Sequence, residues 1–534
     1  MTSLSRRSSL WRRIVGLGIT AVTLAAVACK DEAVAPTANV TPSFRKDAGT
    51  LKCFDANATP VIFGAPWPLT TPTGPDANGV ASADGINMVP WEINQSCGIR
   101  AGSRKREGLK AKAGRPVGAP LAVLVRDDKN DAATATTVTQ ELIAAGVDAL
   151  VAGGASGTGV PAAQLAVASN TPVGAMRSAA DNMSGCTAAE LADPTVTKSA
   201  TPVYGVGTCW NNHGLVFRTT ATGNSWGTQG ATYARTTYPA LTQAALIYRD
   251  DDFGQPNRDG WVAQFGALGG TVLAQAGHIG AGGTVAVFRS QLITITANNP
   301  SIIVGSIAGA RLGSLMQAYV ALRDDPTLWP TGTTKPANFN TLKFVWTSTL
   351  TGVNYSTAGL SAVAALVNQN DFVQPAWDPT SPTFQRWLAL YQAYAPTAQP
   401  PASGFPMGAY DAGIVMALAI TAAGTTEPAA VAAQIRRVSN PPGTVICPGQ
   451  WRKAFRLLAK GKEINYEGAL GPVDLDERGN ATGLTFGIFR VQAGGATSAQ
   501  VSGFGFPAHP ACTDSDEDDD HDDGDDHDHG DRDG

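Results

Sequence analysis

Between Leu121 and Gly159 the hydrophobic positions change period twice, and the changes outline a structural unit. Leu121 to Val125 is a continuous apolar run closed by Arg126, Asp127 and Asp128; it is too short for a buried helix and reads as a buried strand. Beyond it, Ala135, Val138, Leu142 and Ala145 recur at spacings of three and four. That is the stripe of an amphipathic helix, with Asn130 or Asp131 as its cap and Gly146 as its left-handed stop. Val147 to Ala152 is a second buried strand. Strand, helix and strand joined this closely make a right-handed βαβ unit of a parallel sheet. Gly153 to Gly159 then lies at the carboxyl end of the second strand, and Pro161 falls in the first turn of the next helix. Open α/β sheets bind their ligands at such ends.

The same alternation extends in both directions. Pro60 to Thr70 reads as an opening strand followed by a turn from Thr71 to Pro75, and Ile86 to Asn94 as a helix that Pro90 kinks or cuts short. Ser103 to Gly118, basic and rich in Gly, reads as a loop. A helix over Pro161 to Ser169 and a strand over Thr171 to Met176 follow, then a stretch of turn formers from Ser184 to Asn212 that two cysteines close off. A second series begins at Val216, with strands at 244–248, 271–278, 301–307 and 343–349 and helices at 258–268, 287–297 and 310–322. The pattern runs twice, so two doubly wound α/β lobes are expected. Helices at 381–394, 409–423 and 429–438 come next. The chain then turns to β at 468–475 and 484–491, as though returning to an earlier lobe.

The length, 534 residues, exceeds what one hydrophobic core supports, which agrees with two lobes. The net charge of −5 sums unlike parts: +4 from residues 1–29, −12 from 513–534, and +3 from the body between. A body this close to neutral offers no nucleic-acid surface. Arg12 and Arg13 precede an apolar run from Ile14 to Ala28, the layout of a targeting segment. Ala26-Val27-Ala28-Cys29 resembles a bacterial lipobox, which makes Cys29 the candidate lipidation site, with a plain signal peptide as the alternative. Cys53, Cys97, Cys186, Cys209, Cys447 and Cys512 remain; six allow fifteen connectivities, of which chain order favours 53 with 97, 186 with 209, and 447 with 512. No CxxC or CxxH spacing supports a metal site, so structural disulfides are expected and no metal or other cofactor is. The tail beyond Cys512 carries twelve aspartates with His521, His527 and His529. It reads as a disordered, self-repelling appendage, with weak cation collection as the alternative.

Eight segments in order carry a resemblance: PLTTPTG at 68–74, LAVLVRDDKND, GVDALVAGGASGTGVPAAQLA at 146–166, NTPVGA, VFRTT, ALIYRDDDFG at 245–254, AYDAG at 409–413 and GALGPVDLDERGN at 468–480. Together they resemble the type I periplasmic binding proteins, specifically the branched-chain amino acid (leucine/isoleucine/valine) binding family of ABC importers. The resemblance implies two doubly wound parallel-sheet lobes joined by three crossovers, near Val216, near Thr349 and between Pro442 and Glu467. It divides the chain into a signal peptide (1–29), a tether (30–57), lobe I (58–216 and 350–443), lobe II (217–349 and 444–506) and the tail (513–534). A small-molecule ligand is then held between the lobes and passed to an ABC transporter permease, with a lipid anchor in the membrane.

The ligand-binding positions that the resemblance implies are Ser156 and Thr158 for a carboxylate, with Thr71 nearby. Arg177 and Ser178 form the adjoining wall, and Phe253, Ile307 and Thr347 come from lobe II. Amides at the start of the helix after Gly153 attract an anion on the same reasoning; a Gly-rich turn with capping hydroxyls is the structural alternative. Thr347 and Ser348 stand where amino acid binders keep an acid for the ligand ammonium; without it a zwitterionic amino acid loses its charge partner, which opens the site to an amide, a carboxylate or something more apolar. Trp67 and Trp346 either stack on a ligand or belong to the core. Two other functions compete. Gly154 to Thr158 is superficially like a nucleophile elbow, but its last glycine is replaced by Thr158 and only His213, His278 and His509 are present in the body as bases, which disfavours a hydrolase. A sensing lipoprotein of the same fold without a transporter is the other.

Overall fold

Val61–Trp67 (β1) opens the first sheet in the computed structural model, which describes residues 53–71, 74–101, 117–278, 283–307, 309–347, 354–356, 360–396, 403–492, 498–504 and 512. Cys29, most of the tether and the 513–534 tail lie outside the described residues. With Leu121–Asp127 (β2), Ala149–Ala152 (β3), Val173–Ala175 (β4) and Val216–Arg218 (β5), β1 forms a parallel sheet in the order β2-β1-β3-β4-β5. Its longest register runs from Val61 opposite Leu121 to Trp67 opposite Asp127. Helices α1 (Ala77–Asn94), α2 (Ala132–Ala144) and α3 (Ser156–Ala168) link the strands. Asp76 caps α1 through Gly79 N–H and Asp131 caps α2 through Thr134 N–H. Pro90, expected to interrupt its helix, lies inside the 18-residue α1. It removes one N–H from the helix ladder, while Ile86, Met88, Val89 and Ile93 are fully buried and hold the helix in place.

The second series runs α4 (Gly223–Thr237), β6 (Gln243–Arg249), α5 (Gly254–Ala267), β7 (Thr271–His278), α6 (Val285–Thr296), β8 (Ile302–Gly305), α7 (Gly309–Asp324), β9 (Lys343–Trp346), α8 (Ser361–Val367) and β10 (Asp371–Pro375). The chain then continues through α9 (Pro382–Tyr394), α10 (Phe405–Ala423), α11 (Pro428–Ser439), β11 (Thr444–Ile446), α12 (Trp451–Ala459) and β12 (Ile464–Tyr466). It closes with β13 (Phe486–Val491) and β14 (Ser498–Phe504). The second sheet has the order β7-β6-β8-β9-β10-β13-β14. Its first five strands are parallel, and β13 and β14 join antiparallel.

Pairing moves two crossovers from their expected places. Residues 371–375 are expected in lobe I, yet β10 pairs parallel with β9 and antiparallel with β13, so the chain leaves the second sheet after Pro375 rather than near Thr349. Residues 444–466 are expected in lobe II, yet β11 and β12 pair with each other and bury Ile446 and Tyr466 in the core of the first lobe. The last crossover therefore lies between Tyr466 and Phe486. Residues 468–475, expected as a strand, make isolated bridges from Glu467 to Pro472 and from Leu475 to Ala481.

Each sheet is covered on both faces, as parallel sheets require. One face of the first packs Val61, Phe63 and Ala65 against Tyr410, Met416 and Ile420 of α10; the other packs Leu150 and Val173 against Ala163 and Trp210. The second sheet meets Leu315 and Tyr319 on one side and Trp226 and Trp261 on the other. Helix α10 is long and apolar enough to cross a membrane by length and composition, but 89% of that stretch is buried, and its all-round apolarity is that of a core axis. Gly413 lets it approach α1 closely, since a Cβ there would fall 2.7 Å from Val89 Cγ2.

The disulfides are Cys53–Cys97, Cys186–Cys209 and Cys447–Cys512, the pairing that chain order favours. The last joins lobe I to the chain beyond β14, an edge strand of lobe II.

Candidate functional site

Strand β3 ends in buried Ala152, and the chain must turn immediately into α3. Gly153 makes the turn possible by lying flat on the Trp67 indole, where a Cβ would sit 2.3 Å from the ring. Part of the Gly-rich signal is thus a packing requirement. Trp67 itself is fully buried and donates to Gly79 O at 2.9 Å, so it belongs to the core rather than to a ligand platform. Helix α3 begins at Ser156 behind Ala155, which has no side-chain acceptor, and its leading N–H groups therefore have no side-chain cap. Thr158 turns inward, its Oγ1 3.3 Å from Ala155 O.

The turn after β4 packs directly on this helix start, since a Cβ on Gly159 would lie 2.8 Å from Ser178 Cβ. Ser178 is fully buried and donates to the Met183 sulfur at 2.8 Å. Arg177 stands differently. Its guanidinium lies over the Phe405 ring at 4.9 Å, at the N-terminus of α10. Nη1 is buried, has no hydrogen-bond partner, and comes only to 3.9 Å from Asp76 Oδ2. Burial lowers the Arg177 pKa, with Asp76 and Asp128 opposing the shift. Asp128, at the end of β2, is pushed up to about 6 by burial, with Asp127 and Asp76 adding to the rise and the Asn130 N–H and Arg177 opposing it. For Asp127 burial is outweighed by hydrogen bonds from the Thr70 hydroxyl and the amides of Lys129, Thr70 and Leu69, which hold its carboxylate below the usual range. Half-buried Thr71 donates to Gly74 O at 3.0 Å.

Lobe II contributes less than expected. Phe253 precedes α5, packs edge-on against Trp226 at 5.3 Å, and carries the Arg249 guanidinium 5.1 Å above its ring. Asp251 binds Arg249 at 2.5 Å and accepts from Gly254 N–H at 2.9 Å, fixing this corner. Ile307 and Thr347, by contrast, turn into the lobe. Ile307 is fully buried in its core. Thr347 Oγ1 accepts from Trp261 Nε1 at 2.9 Å and lies 2.8 Å from Asn257 Oδ1 and 3.0 Å from Gly305 O, so it is engaged inside the lobe. Trp346 is likewise internal, donating to Asn370 Oδ1 at 2.7 Å.

Sequence reasoning does not reach the surroundings of Arg177. In the sequence Asp76 adjoins a turn and Asp128 bounds a strand, and Phe405 comes from a segment more than 220 residues away in the chain. Beside Phe405, Met176 and Leu470 meet Thr220, Gln374 and Ser403 around a cavity of about 20 Å³ where the three crossovers converge. That is room for about one water. Among the described residues no group of three or more His, Cys, Asp or Glu is arranged to hold a metal ion.

A model of the periplasmic binding protein family matches residues 60–496. The chain belongs to the periplasmic binding protein family. Solved members share its fold at low identity. A leucine binding protein from Thermotoga maritima has a TM-score of 0.55 and 15% identity, covering 83% of this chain and 98% of that one. A branched-chain amino acid transporter substrate binding protein from Streptococcus pneumoniae, solved with isoleucine, has a TM-score of 0.53 and 16% identity, covering 83% and 100%. A solute binding protein of an ABC transporter from R. palustris, solved with 4-hydroxybenzoate, has a TM-score of 0.55 and 15% identity, covering 84% and 97%. Among curated proteins, the chemotactic signal transduction system substrate-binding protein BasB of Halobacterium salinarum is 39% identical over 75 residues, 14% of this chain and 18% of that protein. The chain has the type I fold of a family of substrate-binding proteins that bind small molecules outside the cytoplasm.

Proposed function

We propose that this periplasmic binding protein captures a small carboxylate between its lobes and delivers it to an ABC importer, anchored to a bacterial membrane through a lipid on Cys29. The observation that carries the ligand class is Arg177, a largely buried guanidinium whose Nη1 makes no hydrogen bond and has only the Asp76 carboxylate at 3.9 Å. A buried cationic donor that makes no hydrogen bond costs free energy in the empty protein, and a ligand carboxylate removes that cost by accepting from it. The uncapped start of α3 at Ser156 supplies a second attraction for the same anion. Phe405, Met176 and Leu470 provide an apolar surface beside it, suited to an aromatic or branched remainder. Thr158, Ser178, Thr71 and Phe253 shape this site in the proposal, and Ile307 and Thr347 support it from within lobe II.

A thermal-shift screen of the full chain against leucine, isoleucine, benzoate, 4-hydroxybenzoate and neutral amides tests the reading. A bound carboxylate at a hundredfold excess over Kd is expected to stabilise the protein by about 2.7 kcal/mol. Hits confined to the neutral amides would contradict it. The similarity to BasB favours a second reading, a sensor that presents its loaded form to a signalling receptor. Co-purification from membranes separates the two, since an importer subunit loads with a permease and a sensor with a transducer.

A further inference from the structure

The segment from Ser184 to Asn212 leaves lobe I after β4 and returns to it at β5, yet it does not stay on lobe I. Its base is fixed there by the Cys186–Cys209 disulfide, by Cys186 N–H donating to Trp210 O at 3.0 Å, and by fully buried Trp210. From that base it grips the last crossover. Gly185 N–H donates to Arg478 O at 3.0 Å, Arg478 Nη1 returns a bond to Gly185 O at 3.1 Å, and Arg478 Nη2 meets Glu190 Oε1 at 2.5 Å. Ser184 Oγ donates to Asn480 Oδ1 at 3.0 Å. Further out, Tyr204 OH donates to Asp259 Oδ2 at 2.9 Å, and Asp259 belongs to α5 of lobe II. Beneath this reach lies an open groove of about 770 Å³, lined from lobe I by Thr208, from lobe II by Ser225 and Asp259, and from the crossover by Asp476 and Arg478. At its inner end the lobes meet directly, Asn224 N–H donating to Asp181 Oδ1 at 3.2 Å and Gly223 N–H to Ala179 O at 2.6 Å; at its outer end the Tyr204–Asp259 bond spans the gap.

We propose that the disulfide-stapled segment 184–212 is a brace between the lobes, with Tyr204 and Asp259 as its far contact, and that it sets how far the ligand cleft rests open. Three covalent crossovers leave two lobes free to hinge, because only a few residues must change backbone angles. A rigid arm rooted in one lobe and bonded to the other adds a bond that must break before the lobes move apart at that edge. The arm also holds the crossover that would have to bend, through Arg478 and Asn480. Since a ligand can shift the open and closed states only by its difference in affinity for them, a bond made only in the closed state raises apparent affinity without touching the ligand.

The test uses the full chain without ligand, with its disulfides intact, so it stands whatever the solute proves to be. Small-angle scattering is recorded for the parent protein, Tyr204→Phe, Asp259→Ala and Asp259→Asn, each beside a thermal melt. Loss of one hydrogen bond to a carboxylate is expected to shift the closed-to-open ratio about tenfold. Tyr204→Phe and Asp259→Ala should therefore both show a larger radius of gyration and maximum dimension. Asp259→Asn, which keeps a carbonyl acceptor for the phenol, should stay closer to the parent. Scattering from Tyr204→Phe and Asp259→Ala that superposes on the parent curve would overturn the proposal. A lowered melting temperature with unchanged scattering would overturn it too, by reducing the contact to local stabilisation.

Discussion

Gly153 and Gly157 lie four residues apart, one in the turn after β3 and the other in the first turn of α3, and do different work. A methyl at Gly153 would press into the Trp67 ring at 2.3 Å, whereas nothing lies within 4 Å of a Cβ at Gly157. Gly153→Ala is therefore expected to destabilise the protein by about 1–3 kcal/mol, read as a lowered melting temperature, and Gly157→Ala to leave stability near the parent value or slightly above it. Equal melting temperatures for the two variants would refute the packing account of the loop. The loop is legible in the sequence because a run of small residues directly after an apolar strand marks the turn out of that strand. Arg177 is legible as a position but not as an environment, since its neighbours Asp76, Asp128 and Phe405 come from three distant segments. Thr347 and Ile307 stand at the expected strand ends, but the sequence does not say which way a side chain turns. Only the bonds to Trp261, Asn257 and Gly305 show Thr347 pointing inward.

Helices α1 and α10 bury carboxylates between them and the return segment. Glu92 of α1 accepts from Tyr410 OH at 2.5 Å, and burial pushes it up to about 7 against the bonds from Tyr410 and from the Trp451 and Gly449 amides. Asp411 of α10 accepts from Tyr466 OH at 2.7 Å and from Ala469 N–H at 2.9 Å, and burial pushes it up to about 7 as well. Both groups hold their protons more tightly when folded than when unfolded. Their contribution to stability is thus fully present below the unfolded values near 4 and is lost as pH rises through about 7. The melting temperature is expected to fall between pH 5 and pH 8, and Glu92→Gln to flatten that fall; a melting temperature that rises over this interval would contradict the assignment. At this scale the sequence is most readable where apolar runs are bounded by charge, as in β2, and least where elements are short. Three-residue strands β11 and β12 carry no period to detect, and their pairing fixes the last crossover.

Two wound sheets joined by three crossovers make up the molecule's frame, with Arg177 lying over Phe405 in the first lobe. The repetition of the βα pattern already implies two lobes. The positions of the crossovers do not follow from it, because they depend on which sheet accepts β10 and β13 and therefore on long-range pairing. In the proposed function the Arg177 guanidinium, whose Nη1 makes no hydrogen bond in the protein itself, receives a ligand carboxylate. That role is tested most directly by titrating the best carboxylate from the screen into the parent protein and into Arg177→Met by isothermal calorimetry. A Kd at least about tenfold weaker in Arg177→Met is expected, the loss of one charge-assisted pair. A Kd unchanged by the substitution would contradict the account.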